Sequence, residues 1–172
     1  ASIDIPDSVV SIGPSAFSKC SNLSEVTGLN GVISIGDDAF SDCTNLQKLD
    51  FKNSTPNIGL VAFRNCSSLV SIGSVANVGE NAFIGCSNLQ SVVIGAGATS
   101  IGNHAFRGCA KLQNVTIKSS AVSVGERAFY GCSSLKSISN ITNIGDNAFT
   151  GCTNLQSIVV GNGATSIGYQ AF

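Results

Sequence analysis

The sequence predicts a β-rich repeat solenoid, with parallel strands stacked along the array and one short helical turn per repeat. Three observations carry this. The dipeptide Ala-Phe recurs at Phe17, Phe40, Phe63, Phe83, Phe106, Phe129, Phe149 and Phe172, in steps of 23 or 20 residues. A Cys stands three positions after each of the first seven Phe (Cys20, Cys43, Cys66, Cys86, Cys109, Cys132, Cys152), and a Leu three after each Cys (Leu23, Leu46, Leu69, Leu89, Leu112, Leu135, Leu155). A unit this short cannot fold alone, because each inward side chain contributes roughly 1.5 to 3 kcal/mol while ordering the backbone costs about 1 to 2 kcal/mol per residue. Stacking gives every turn a cover on both sides.

Each element of the unit follows from its residues. Leu-x-x-Val-x-Ile, as in Leu89–Ile94, has the apolar spacing of a short strand that pairs in parallel with its equivalents in neighbouring turns. The Ile-Gly or Val-Gly pair four residues before each Phe suggests a second extended segment on the opposite side. From that Gly onward, x-x-Ala-Phe fits a single helical turn. The residue before Cys is Asp42, Asn65, Gly85, Gly108, Gly131 or Gly151 in six units, all types that tolerate the left-handed conformation at a helix C-terminus. Lys19 is the exception, where a different closure is expected. Asp37, Asp38, Glu80, Glu126 and Asp146 lie beside the helical turn, where a helix N-terminus favours negative charge. The two 20-residue units lose their three residues between the Leu and the next Val-Gly or Ile-Gly. A 66-residue period overlies the shorter one: Glu80–Phe106 and Asp146–Phe172 agree at 19 of 27 positions.

The Phe, Cys and Leu columns are assigned to the core, since only inward positions are constrained alike in every turn. Cysteines in stacked turns lie roughly 4.7 to 4.9 Å apart, but their Cβ vectors run parallel instead of converging, so buried free thiols are expected rather than disulfides. With no C-x-x-C and a single His, no zinc site is built. His104 is read as a surface residue.

Composition narrows the function. The 172 residues carry nine Lys+Arg and ten Asp+Glu, only 11% of the chain, and the basic residues are scattered singly, which disfavours nucleic acid. No stretch approaches the roughly 18 apolar residues of a spanning helix, and Ala1–Asp7 lacks the pattern of a signal peptide. The acids fall at differing phases, and no nucleophile is held against a base. No catalytic residue, metal or cofactor is therefore assigned.

The unit I-G-x-x-A-F-x-x-C-x-x-L-x-x-V/I resembles the BspA-like leucine-rich repeat, associated with Treponema surface proteins. The match runs from Ser2 to Phe172 in eight registers. Ile3–Gly13 reproduces its Pro-containing form, which later units replace with Gly95, Gly161 or Lys118. The resemblance implies a right-handed leucine-rich superhelix. It further implies a protein outside the cell or on its surface, acting by adhesion or protein binding and without enzymatic activity.

Function is then sought on the variable outward columns of the Leu-x-x-Val-x-Ile strands. These are Gln47, Gln90, Gln113 and Gln156; Lys48, Ser91, Asn114 and Ser157; and Asp50, Val93, Thr116 and Val159. The face is flat, neutral and polar, suited to broad, weak, multivalent contacts with a protein or glycan better than to one tight pocket. Among five N-x-S/T sequons, Asn53 and Asn114 are the plausible acceptors. The whole chain, 1–172, reads as one solenoid of about eight turns and as a segment of a longer array. Its ends lack polar caps. A second function is thus a fibre subunit that stacks end to end with its own copies.

Overall fold

The computed structural model describes residues 1–52 and 54–172. In chain order the strands are β1 (Ser2–Asp4), β2 (Ser11–Ile12), β3 (Glu25–Thr27), β4 (Ser34–Ile35), β5 (Lys48–Leu49), β6 (Asn57–Ile58), β7 (Ser71–Val75), β8 (Ser91–Ile94), β9 (Ser100–Ile101), β10 (Asn114–Ile117), β11 (Val122–Val124), β12 (Ser137–Ile144) and β13 (Ser157–Val160). Every pairing is parallel. One sheet runs the length of the stack as β1-β3-β5-β7-β8-β10-β12-β13. On the opposite side β2, β4 and β6 form a second ladder. Bridges from Ile58 to Val78 and from Val78 to Ile101 continue it into β9 and β11. β12 rounds the corner: its start pairs with β10 and β13, and its end with β11. The Ile-Gly segments are thus the second strands that their apolar residue predicts.

Between the two sheets lies one continuous core. Phe40, Phe63, Phe83, Phe106 and Phe129 are fully buried, as are Leu46, Leu69, Leu89, Leu112 and Leu135. The phenyl rings stack face to face, with centroids 5.1 to 5.3 Å apart from Phe17 to Phe149. Leu23 is buried, and so is Phe149. Phe17 and Leu155 pack against the core only partly buried. Phe51, at the turn that leaves β5, adds a fully buried ring outside the repeated columns.

The arc from Gly to Cys corrects the expectation of a helical turn. In the unit around Phe40, the amides of Ala39, Ser41 and Cys43 donate three residues back to Gly36, Asp38 and Phe40, while the alternate amides of Asp38, Phe40 and Asp42 donate to Leu60, Ala62 and Arg64 of the next turn. Two left-handed residues make this alternation. One is the residue before Cys, and it includes Lys19 (φ 62°) alongside Asp42 and Asn65, so that the first unit closes like the others. The other stands two after the Gly: Ser15, Asp38, Val61, Asn81, His104, Arg127, Asn147 and Gln170 all have φ between 46° and 56°. The interior amides of a helix bond within the helix, and its residues are right-handed. The arc instead sends every second amide to its neighbour and so forms a third ladder between turns.

Among the described residues the arc therefore offers no helix N-terminus for these acids to cap, and the single short 3-10 turn, Leu29–Gly31, lies elsewhere and has no acid in its first turn. Asp37 and Asp146 accept hydrogen bonds from the backbone N–H of Leu60 and Tyr169 in the following turn, at 2.8 and 2.7 Å. Asn103 does the same for Glu126. These short side chains bind turn to turn and satisfy amides that would otherwise lack a partner.

The shortened connections have their own device. Asn77 Oδ1 accepts from Thr99 N, Thr99 Oγ1 and Ser100 N at 2.8, 3.1 and 3.1 Å. Asn143 Oδ1 takes the same three bonds from Thr165 and Ser166. Where three residues of backbone are missing, one carboxamide stands in for the absent carbonyls.

Candidate interaction face

The outward side of the long sheet carries the residues singled out for contact. Strand pairing aligns Glu25, Lys48, Ser71, Ser91, Asn114, Ser137 and Ser157 in one column. Beside it Val93 stands opposite Thr116. Gln47, Gln90, Gln113, Asn114, Thr116, Gln156, Ser157 and Val159 are exposed, whereas Ser91 and Val93 are half-buried. The Gln column is held by its backbone: Val70 N donates to Gln47 O, Gln90 N to Val70 O, and Gln113 N to Gln90 O. Asn114 is exposed on this face, while Asn53, the other sequon considered, lies outside the described residues.

Several residues of the face escaped the sequence reading. Val70, Ser71, Lys136 and Ser137 occupy the same columns in the 20-residue units. The signal was present, since each follows its Leu at the same distance as Gln90 and Ser91 do. Side chains of Gln113, Ser134, Lys136, Asn154 and Gln156 line one shallow depression, and Glu25, Thr27, Lys48, Asp50 and Lys52 border another. The two ends of the face differ in charge. Around β3 and β5, Lys48 lies 4.0 Å from Asp50, with both exposed, and Thr27 donates to Asp4 at 2.6 Å. From Gln90 onward the columns hold carboxamides, hydroxyls, two Val and Lys136, without an acid.

The other candidate chemistry lies inside or on the arc. All seven cysteines are free. Cys43, Cys66, Cys86, Cys109 and Cys132 are buried and Cys152 partly so, while Cys20, assigned to the core, is exposed because its turn is the first of the stack. Each of the other six thiols donates to the carbonyl of the Phe one turn back, as Cys86 Sγ does to Phe63 O at 3.0 Å. Burial pushes Cys43 up to about 12 and Cys152 to about 11, from a usual 9.0. These thiols are packing groups and not nucleophiles. His104, read as a surface residue, is half-buried at a left-handed position of the arc, and its Nδ1 is buried without a hydrogen-bond partner. Asn65 donates to Asp42, and with Arg64 it holds that carboxyl below its usual range. Among the described residues no group of three His, Cys, Asp or Glu converges to hold a metal, and no helix is long and apolar enough to cross a membrane.

Comparison with known proteins places this geometry. A family model described as BspA type Leucine rich repeat region (6 copies) matches residues 1–78 and 76–172. A leucine-rich repeat protein from Eubacterium ventriosum superposes with a TM-score of 0.75 at 32% identity, over 87% of this chain and 42% of its own. A leucine rich cell surface protein from Faecalibacterium prausnitzii gives 0.72 at 31%, over 91% of this chain and 46% of its own. The leucine rich repeat protein of T. pallidum shares the fold at 22% identity, with a TM-score of 0.61 over 97% of this chain and 72% of its own. No curated protein matches. The chain thus spans less than half the length of the first two solved relatives.

Proposed function

Because this chain belongs to the BspA-type leucine-rich repeat family, we propose that it is a non-enzymatic contact module displayed at a cell surface, which docks its ligand on the outward face of the long sheet. The observation that carries this is the alignment of one column of that face through the whole stack, kept although the pairing shifts register within β7 and β12. Seven successive strands present one aligned column of hydrophilic side chains from Glu25 to Ser157, and the backbones of the inner strands are already paired on both sides. Such a surface offers many weak contacts rather than one pocket, and its avidity grows with the number of turns engaged. The F. prausnitzii relative, described as a cell surface protein, supports the location.

The test is adhesion of protein-coated beads to a cultured cell layer. Asn114→Tyr with Ser157→Tyr places two bulky neutral groups on the face, and the pair should lower adhesion at least tenfold while leaving the thermal midpoint within a few degrees. Asp38→Asn, on the arc, should leave adhesion unchanged. Undiminished adhesion by the double variant would refute the assignment of the face.

A further inference from the structure

The formal charge of -1 hides a segregation along the axis. Eight of the ten acids precede residue 81, while five of the nine basic residues lie between Arg107 and Lys136, a stretch whose single acid is Glu126. Glu126 is on the arc and pairs with Arg127 at 2.8 Å. The remaining cations divide by position. Arg107 lies over the Tyr130 ring on the arc. Lys111, Lys118 and Lys136 surround the sheet face. Lys111 stands two residues before Gln113. Lys118 continues the outward phase of Asn114 and Thr116 at the far end of β10. Lys136 takes its place in the Gln column. All three are exposed, and none belongs to an ion pair among the described residues; Lys111 Nζ donates to the neutral Asn88 Oδ1.

Resting on the face assignment above, we infer that its distal part, from Gln90 to Val159, binds an extended acidic polysaccharide. The lysines supply unopposed positive charge for carboxylates spaced along a polymer, on a strip with no acid to repel them. Between them, Gln90, Gln113, Asn114 and Ser137 each offer both a donor and an acceptor, which matches sugar hydroxyls, at a turn-to-turn spacing of roughly 4.7 to 4.9 Å. An acidic peptide fits less well. It cannot add as a strand to β8, β10 or the start of β12, whose edges are both taken, and the strip has no aromatic anchor of the kind that centres protein interfaces.

The test is titration of the chain with polygalacturonate, at low salt and at 0.5 M salt, with neutral dextran and poly-L-glutamate in parallel. Polygalacturonate should bind and weaken at least tenfold at high salt, where the Debye length is only about 4 Å. Lys111→Gln/Lys118→Gln/Lys136→Gln should cost tenfold or more, whereas Arg107→Gln/Arg127→Gln on the arc should cost less than twofold. Binding should exceed that of poly-L-glutamate and of dextran. Absence of polygalacturonate binding, equal losses in the two sets of variants, or tighter binding of poly-L-glutamate would each overturn the inference. Retained cell adhesion by the lysine variant, together with loss in Asn114→Tyr/Ser157→Tyr, would sink the polyanion and leave the face standing. Retention by both would sink the face as well.

Discussion

The cysteine column shows how one residue type can be both repeated and chemically silent. Each buried thiol donates a hydrogen bond to a carbonyl one turn back and sits where an anion has no solvation. For Cys43, Cys86, Cys109, Cys132 and Cys152 the chief cause of the raised pKa is burial; for Cys66 it is hydrogen bonding with Cys86, followed by burial. A folded pKa above the unfolded one gives stability that is complete below the unfolded value, near 9.0, and that is lost as pH rises toward the folded value. The thermal midpoint should therefore hold up to about pH 9 and fall steadily above it. Cys20, which is exposed, should react with a thiol reagent in the native protein at pH 8, ahead of all the others. Val61 is the residue that fits its backbone worst, a β-branched side chain at φ 48° where other units place Asn81 and Asn147. Val61→Asn should raise stability by about 1 kcal/mol, readable as an increased denaturation midpoint.

At the scale of the element, the arc is set by how closely successive turns approach. A Cβ added to Gly102 would lie 2.7 Å from Glu80 N and from the carbonyl carbon of Gly79, whereas at Gly13 it would meet nothing within 4 Å. Gly102→Ala should thus destabilise by about 2 kcal/mol or more, and Gly13→Ala by under about 1 kcal/mol, in parallel denaturant titrations. The strands were legible in the sequence because alternating apolar residues report burial directly. The arc was not, because the expectation of a helix rested on Gly, Ala and Phe spacing, and that spacing is shared by a chain of β-turns. What decides between them is the sign of φ at positions such as Asp38 and His104, whose residue types vary from turn to turn. Asn77 and Asn143 could have been found, as both stand two before the Gly in the only two shortened connections. Replacing both by Ala should cost about 1 to 3 kcal/mol per site through the amides left unpaired.

For the whole molecule, stability is a sum over interfaces between turns, so length should be adjustable in units of the longer period. Deleting Glu80–Gly145 removes 66 residues and joins Gly79 to Asp146, an acid that takes the place of Glu80 in the same motif. The shortened chain should keep its strand-rich circular dichroism and melt at a lower temperature. The fold class was readable from the period and the family from the residues of the unit. The charge segregation was also present in the sequence, but that Lys111, Lys118 and Lys136 flank one face emerges only once the strands are set in register. The three ladders have a mechanical consequence. Nearly every bond between turns points along the axis, so a pull on the two ends loads those bonds lengthwise and one rung after another. Such a molecule should pay out under tension like a coil unwinding. Each 23-residue turn that lets go would release roughly 70 to 80 Å of slack.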